Sequence, residues 1–159
     1  MMRLAIGSDH AGYEMKQQVI ERLREADYDV TDCGTHSTES VDYPDYAAAV
    51  AAAILGGHVD RGILVCGTGV GVALAANKIT GIRAAQASDI YTAHQAVEHN
   101  DVNVLALAGK IIGEVLAWEM VKAFLNAEFA GEERLVRRLH KVALLESEYA
   151  TETRLPPPG

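Results

Sequence analysis

The hydrophobic and polar positions change their spacing in a regular alternation along the chain. Short apolar runs that stop at a glycine, such as residues 4–7 and 62–66, are typical of buried strands. Between them lie longer segments whose apolar residues recur every three or four positions, which predicts amphipathic helices. In the first of these, residues 10–26, the pattern places the following polar residues on the solvent side: Lys16, Gln17, Glu21 and Arg24.

This alternation predicts five strands and six helices in one α/β domain. Strands are expected at residues 4–7, 28–33, 62–66, 83–87 and 103–107. Helices are expected at residues 10–26, 44–55, 72–78, 88–99, 112–125 and 132–149. Strands that alternate with helices form parallel βαβ units with right-handed crossovers. We therefore expect a three-layer α-β-α sandwich with a five-stranded parallel, Rossmann-like sheet and an additional C-terminal helix. It would form a single domain of residues 1–150, followed by a frayed, proline-rich tail at 151–159.

Composition narrows the class of protein and of partner. The 159 residues, 49% of them hydrophobic, predict a folded protein with a substantial core. The net charge of −8 argues against nucleic acids and anionic membranes as partners, because both need a broad basic surface. Two cysteines are too few for a disulfide framework or a four-thiolate zinc site. The sequence has no signal-peptide pattern and no apolar run of about 20 residues, so we expect a cytoplasmic protein with reduced thiols.

Polar residues gather where an open parallel sheet binds its ligands, in the loops beyond the carboxyl ends of the strands. The loop after the third strand reads Gly67-Thr68-Gly69-Val70-Gly71. Backbone N–H groups at such a strand-to-helix turn favour negative charge. The glycine spacing is neither the dinucleotide-binding G-x-G-x-x-G nor a Walker loop. A tight turn with close helix–strand packing is the alternative interpretation.

Four groups of side chains are candidates for chemistry, and each has a purely structural alternative. Cys66 is either a small buried residue or a thiolate held by the adjacent loop. Asp9-His10 and His99-Asn100 suit proton transfer, but they would also serve as helix ends, with Asp9 as an N-cap. Arg134 and Arg138 share one face of the last helix, where they either bind a phosphate or remain solvated. The H-E-x-x-H spacing of a metal site is absent, and no metal is expected.

Taken in order, several separated motifs resemble those of the type B ribose-5-phosphate isomerase family, which also contains related sugar-phosphate isomerases. The matching segments are Gly7-Ser8-Asp9-His10-Ala11-Gly12, Ser40-Val41-Asp42-Tyr43-Pro44, residues 62–71, Ala75-Ala76-Asn77-Lys78, Gly81-Ile82-Arg83-Ala84 and Glu98-His99-Asn100-Asp101. The resemblance implies an enzyme without metal or cofactor that interconverts ribose 5-phosphate and ribulose 5-phosphate through an enediolate. Such an enzyme acts in the non-oxidative branch of the pentose phosphate pathway.

The resemblance also implies a role for each residue near the predicted active site. Cys66 would be the base that moves the proton between C2 and C1. The developing oxyanion would be held by these donors: the backbone N–H groups of Gly67, Gly69 and Gly71, and the side chain of Asn100. Opening of the furanose ring would involve Thr68, His99 and Asp9, while Tyr43 would line the sugar site.

Phosphate binding and subunit contacts complete what the resemblance implies. The phosphate of the sugar would be held by His10, Lys110, Arg134 and Arg138. Lys110 stands where relatives commonly have an arginine, which keeps the charge but loses the bidentate fork. The last segment reads Gly131-Glu132-Glu133-Arg134-Leu135 instead of the family's Gly-Gly-Arg-His, which leaves Arg137 as the alternative to Arg138. The family forms homodimers or dimers of dimers with shared active sites, so His99-Asn100 and Lys110 would come from the partner subunit.

Two other functions remain open from the sequence. Both departures from the family pattern lie at the phosphate end, and they would suit an isomerase of another sugar phosphate, such as allose, galactose or tetrose phosphate. In a different class, the chain would be a non-catalytic sugar-phosphate-binding protein. Binding alone does not need a base beside an oxyanion site, which favours the enzyme.

Overall fold

Strands and helices alternate along the chain in the order that the sequence predicts. A computed structural model describes residues 1–150. Its strands are β1 (Arg3–Ser8), β2 (Asp29–Asp32), β3 (Arg61–Cys66), β4 (Ala84–Gln86) and β5 (Val104–Ala108). Its helices are α1 (Tyr13–Glu25), α2 (Tyr43–Leu55), α3 (Val70–Ala76), α4 (Ile90–Asn100), α5 (Glu114–Asn126) and α6 (Glu133–Glu148). Every predicted strand and helix is confirmed; the largest displacement is at α1, which begins at Tyr13 instead of residue 10.

The sheet is entirely parallel, and its strand order brings two loops together. The order is β2-β1-β3-β5-β4, with Ser8 of β1 beside Val65 of β3 and Cys66 of β3 beside Ala108 of β5. The chain leaves β1 towards one edge of the sheet and leaves β3 towards the other. A ligand crevice forms at such a switch point, beyond the carboxyl ends of the strands. The loops that follow β1 and β3 therefore lie side by side.

Helices cover both faces of the sheet, which confirms the predicted three-layer sandwich. Strand side chains alternate between the faces, as the pleat requires. Ile63 and Val65 belong to a core shared with α1, α4 and α5. Leu64 and Cys66 belong to the core on the opposite face, shared with α2 and α3. The side chain of Cys66 therefore lies on the α2–α3 side of the sheet.

The predicted solvent face of α1 is wrong at Lys16, which is 0% exposed. Its Nζ forms an ion pair with Oδ1 of Asp32, at the end of β2. Burial raises the pKa of Asp32, but hydrogen bonds from Lys16 and from the backbone N–H of Gly34, together with the Lys16 charge, outweigh it and leave that pKa below its ordinary value. Lys16 is buried because it pairs with the carboxylate of Asp32 beneath the helix. The spacing of residues along a helix cannot reveal a partner that lies on another element.

The chain divides into two compact units, Met1–Phe129 and Ala130–Gly159. The first unit contains the whole sheet and helices α1 to α5. The second contains α6, the predicted additional C-terminal helix. The predicted boundary of a single domain at residue 150 stays a prediction, and the predicted tail at 151–159 lies outside the described residues. Within residues 1–150, no helix combines the length and the apolar character needed to cross a membrane.

Candidate active site

A buried thiol lies at the carboxyl end of the central strand β3. Cys66 is the last residue of β3, and only 5% of it is exposed. The backbone N–H of Gly69 donates a hydrogen bond to its Sγ across 3.2 Å. The sulfur therefore has a backbone donor within hydrogen-bond distance, and the thiolate is the form of a cysteine that accepts a proton from carbon.

The loop that carries this donor is pressed against the neighbouring strands. Gly69 has φ +77°, and a Cβ there would lie 3.1 Å from the carbonyl carbon of Leu107. At Gly12, a Cβ would lie 2.4 Å from the carbonyl oxygen of Val65. Neither position admits a side chain without a backbone shift. The glycines therefore allow the loops after β1 and β3 to approach the sheet closely.

Tyr43 and Thr68 flank the glycine loop. The ring of Tyr43, the first residue of α2, packs on Gly71, where a Cβ would lie 3.1 Å from the ring carbons. The Thr68 side chain is exposed, and its Oγ1 accepts a long hydrogen bond of 3.4 Å from the N–H of Val70. That bond leaves the hydroxyl proton of Thr68 available for donation. The structure therefore brings Tyr43, Thr68 and Gly71 to the same loop as Cys66.

The loop after β1 joins this site through Asp9 and His10. The N–H of Asp9 donates to the carbonyl oxygen of Val65 across 3.3 Å, and its Oδ1 accepts the N–H of Gly12 at 3.0 Å. The alternative in which Asp9 is the N-cap of α1 is wrong, since Gly12 occupies that position. Nδ1 of His10 accepts the N–H of Val41 at 3.1 Å, so a neutral His10 ring carries its proton on Nε2.

Lys110 lies at the glycine loop of its own chain. Its N–H donates to the carbonyl oxygen of Gly67 across 3.0 Å. Its Cδ would lie 3.4 Å from a Cβ at Gly67, so the side chain extends along that residue. The resemblance assigns Lys110 to a partner subunit, whereas the structure needs no second chain to bring it beside Gly67.

His99 and Asn100 lie away from Cys66 within one chain. They end α4, which leads into the amino end of β5, whereas Cys66 pairs with Ala108 at the carboxyl end of that strand. The five residues of β5 separate the two levels by roughly 15 Å. The structure therefore does not unite His99 and Asn100 with Cys66 in a single copy of the chain.

The arginines predicted to bind phosphate lie on α6, in the second unit. Arg134 and Arg138 are both exposed and stand one helical turn apart, so they share a face. Nε of Arg134 donates to Glu132 across 2.8 Å. Arg137 is also exposed. The choice between Arg137 and Arg138 stays open, and the phosphate role of these residues stays a prediction.

Sequence reasoning missed Gln86, which belongs to this site by contact. It is the last residue of β4, and its Nε2 donates to the carbonyl oxygen of Thr68 across 3.3 Å. The position at the carboxyl end of a parallel strand was the available signal. It went unused because α3 separates β4 from β3 in the sequence, and β5 lies between them in the sheet. Only the contact seen in the structure shows that Gln86 reaches Thr68.

The fold and the site are those of an α/β protein with a buried thiol at the switch point of a parallel sheet. A profile of the ribose/galactose isomerase family matches residues 4–142. The chain is 47% identical over 131 residues to ribose-5-phosphate isomerase B of Escherichia coli strain K12, covering 82% of this chain and 88% of that relative. It is 44% identical over 132 residues to D-erythrulose-4-phosphate isomerase of Pectobacterium atrosepticum, covering 82% of this chain and 87% of the relative.

The solved structures agree with this match. The structure of Clostridium thermocellum ribose-5-phosphate isomerase B superimposes with a TM-score of 0.91 at 47% identity, over 93% of this chain and 99% of that one. The chain therefore belongs to the ribose/galactose isomerase family, and it is an isomerase. The alternative of a non-catalytic binding protein is set aside.

Proposed function

We propose that this isomerase interconverts ribose 5-phosphate and ribulose 5-phosphate through an enediolate, with Cys66 as the base. The observation that carries the proposal is the 3.2 Å hydrogen bond from the Gly69 N–H to the Cys66 sulfur, at the switch point of the sheet. Two similar proteins, from Escherichia coli and Clostridium thermocellum, bear the name ribose-5-phosphate isomerase B. Their names support the choice of a pentose phosphate as substrate.

The proton transfer needs one base and a set of donors to oxygen. In the aldose-to-ketose direction, the Cys66 thiolate removes the proton from C2, and the electron pair moves onto the aldehyde oxygen to form the enediolate. The thiol returns the proton to C1, while the hydroxyl proton on O2 passes to O1 and leaves the ketone at C2. Gly71 lies in the first turn of α3, where N–H groups have no partner within the helix, so it suits the oxyanion. Gly67 is the second donor in this proposal, because the Gly69 N–H is directed at the sulfur.

Ring opening requires acid and base groups beside the sugar. Thr68 lies in the glycine loop and Asp9 in the adjacent loop, whereas His99 and Asn100 precede the amino end of β5. We therefore propose that a second copy of the chain supplies His99 and Asn100 and that the active enzyme is a dimer or a dimer of dimers. His99 would assist ring opening, and Asn100 would donate to the oxyanion.

A mixture of two inactive variants tests the shared site. In subunits that exchange freely, equal amounts of Cys66→Ala and His99→Asn give heterodimers in which one of the two sites is intact, so about one quarter of the wild-type activity on a ring-forming aldose phosphate returns. Size-exclusion chromatography of the mixture checks that dimers form. Activity no higher than the mean of the two separate variants would contradict a site shared between subunits.

The phosphate of the substrate needs cations at the far end of the site. His10 presents Nε2–H because Nδ1 is engaged by Val41, and Lys110 extends beside Gly67. Arg134 and Arg138 on α6 are proposed as further phosphate ligands by resemblance to the family, with Arg137 as the alternative to Arg138. Replacing Arg138 with alanine is expected to raise the Michaelis constant about tenfold, the loss of one charge-assisted hydrogen bond. An effect of Arg137→Ala with none from Arg138→Ala would exchange the two assignments.

A tetrose phosphate is the second candidate substrate, and a specific observation favours it. The 44% identity to D-erythrulose-4-phosphate isomerase is nearly as high as the 47% identity to ribose-5-phosphate isomerase B. Steady-state kinetics on ribose 5-phosphate, allose 6-phosphate, galactose 6-phosphate and a tetrose 4-phosphate decide between them. The proposal holds if kcat/KM is highest for ribose 5-phosphate. The cytoplasmic location and the place in the non-oxidative pentose phosphate pathway stay predictions.

A further inference from the structure

The side chain of Gln86 is held against the glycine loop by two hydrogen bonds. Its Nε2 lies 3.3 Å from the carbonyl oxygen of Thr68 and 3.1 Å from Oγ of Ser88. A carbonyl oxygen only accepts, so the end of the amide that faces Thr68 is the NH2 group. Both hydrogens of that nitrogen are then engaged, and the amide has one orientation.

The two bonds that meet at Thr68–Gly69 belong to a single peptide unit. The carbonyl oxygen of Thr68 accepts from Gln86, and the N–H of Gly69 donates to the sulfur of Cys66. In a trans peptide the C=O and N–H vectors point in opposite directions. Gln86 therefore holds one side of the peptide plane while the thiol occupies the other. A hydrogen bond accepted at the carbonyl also polarises the peptide and strengthens the bond that its N–H donates.

Packing fixes the same peptide in place. A Cβ at Gly69 would lie 3.0 Å from Cγ of Gln86 and 3.1 Å from the carbonyl carbon of Leu107. The backbone at Gly69 thus lies between the Gln86 side chain and β5. Without the Gln86 side chain, the Thr68–Gly69 peptide would lose a hydrogen-bond donor and one of the packing contacts that prevent its rotation.

We infer that Gln86 is a positioning residue for Cys66: it orients the Thr68–Gly69 peptide so that the Gly69 N–H stabilises the anionic sulfur. The inference rests on the proposed function, because it gives Cys66 the role of the base. Gln86 acts through the peptide and needs no contact with the substrate. Its removal should therefore alter the reactivity of the thiol and the turnover number while leaving substrate binding nearly unchanged.

The test replaces Gln86 with methionine, which keeps the length of the side chain and removes the donor. Gln86→Met is expected to lower kcat by roughly three- to tenfold, the value of one hydrogen bond, with KM changed by less than about twofold. The rate of alkylation at Cys66 at a fixed pH, followed by mass spectrometry so that Cys33 is resolved separately, is expected to fall. The titratable groups on the neighbouring elements, Asp9, Tyr43 and Lys110, are the same in the wild type and in Gln86→Met, which adds no charge; Gln86→Glu adds one carboxylate.

A matched control and a second variant keep the outcome decisive. Gln95→Met removes an amide that donates to Glu98 on α4, and it should change neither kcat nor the alkylation profile. Gln86→Glu keeps the shape but has no proton to donate when ionised, so it should lower kcat at neutral pH at least as much as Gln86→Met. The inference is overturned if Gln86→Met and Gln86→Glu alkylate and turn over as the wild type does. It is also overturned if their losses appear only in thermal stability.

The parent proposal is tested separately in the same experiment. Cys66→Ala that retains near-normal turnover removes Cys66 as the base, whatever Gln86 does. Inactive Cys66→Ala together with unaffected Gln86 variants leaves the proposed function standing and removes only the role of Gln86.

Discussion

The amino ends of the strands form one edge of the sheet, the amino edge, and their carboxyl ends form the carboxyl edge. Polar groups at these two edges are used in opposite ways. At the amino edge, arginines are tied to fixed partners within the fold. Arg83 donates to both the carbonyl oxygen and the carboxylate of Asp101, and Arg3 donates to both carboxylate oxygens of Asp60. At the carboxyl edge, the thiol of Cys66 and the hydroxyl of Thr68 receive backbone N–H groups and keep their own chemistry available.

Arg61 shows how an arginine at the amino edge serves the structure. Its guanidinium is half-buried at the start of β3, donates to the carbonyl oxygens of Phe124 and Ala127, and lies 5.2 Å from the centre of the Phe124 ring. Burial lowers the pKa of Arg61, with opposing contributions from Asp101 and Glu128. The guanidinium thus satisfies backbone carbonyl groups at the C-terminal end of α5. The comparison teaches that these arginines brace the amino edge, whereas Cys66 and Thr68 at the carboxyl edge remain able to respond to a ligand.

The largest expected effect belongs to the thiol at the carboxyl edge. Cys66→Ala removes the proposed base, and general base catalysis contributes about 10²- to 10⁴-fold, so kcat should fall by that factor with little change in substrate binding. Cys33→Ala is the matched control, because Cys33 is half-buried at the end of another strand and should leave kcat unchanged. Steady-state kinetics measure both. Near-normal turnover in Cys66→Ala would refute the division between the two edges.

Next in size is the ion pair of Lys16 with Asp32, a structural charge that lies at the carboxyl edge. Asp32→Asn leaves the Lys16 ammonium buried without a counter-charge and should lower the free energy of unfolding at pH 7 by roughly 2–3 kcal/mol, less than for a fully buried pair because the Asp32 side chain is 20% exposed. Chemical denaturation measures the loss.

The effect of Asp32 should depend on pH with a definite sign. The folded state lowers the pKa of Asp32, so its stabilisation is complete above the unfolded value of about 3.9 and disappears as the pH falls through the folded value. The difference between wild type and Asp32→Asn should therefore shrink in acid. A difference that stays constant from pH 6 to pH 2 would contradict the ion pair as its source.

A smaller effect is expected for Arg61 at the amino edge. Arg61→Met removes two hydrogen bonds to backbone carbonyl groups and should cost about 1–2 kcal/mol of stability while kcat remains as in the wild type. Arg3→Met, which breaks an exposed pair with Asp60, should cost less stability than Arg61→Met because solvent screens the pair. Thermal unfolding and kinetics on the same samples check both values. A large fall in kcat for Arg61→Met without a loss of stability would break the comparison.

The smallest expected effect concerns Lys110 beside the glycine loop. Lys110→Met should raise the Michaelis constant for a sugar phosphate roughly tenfold or less and leave kcat almost unchanged, because an exposed cation binds phosphate and does not move protons. Lys122→Met, which removes a half-buried lysine paired with Glu119 on α5, is the control and should leave the Michaelis constant and kcat unchanged. Lys110→Arg sharpens the result: tighter binding of ribose 5-phosphate is expected if the site is the family's phosphate clamp in weaker form.

Much of the fold could be predicted from the spacing of apolar and polar residues. The predictions that were wrong have physical causes. Apolar runs marked the central strands because parallel strands buried on both faces are apolar throughout. Lys16 was misplaced because helical spacing reports on the helix alone, while burial depends on Asp32 of another element. The start of α1 was misplaced because the Asp9 carboxylate holds a turn at Gly12, so the helix begins after it.

By itself, the sequence determined the order of the elements, the parallel sheet, the glycine loop at Cys66 and the family resemblance. These follow from local spacing and from short motifs, which are properties of neighbouring residues. Only the tertiary structure decided that Gln86 meets Thr68, that Lys110 lies along Gly67, and that His99 stands at the opposite edge from Cys66. Each of these depends on strand order and register, which bring distant segments together through the packing of the whole sheet.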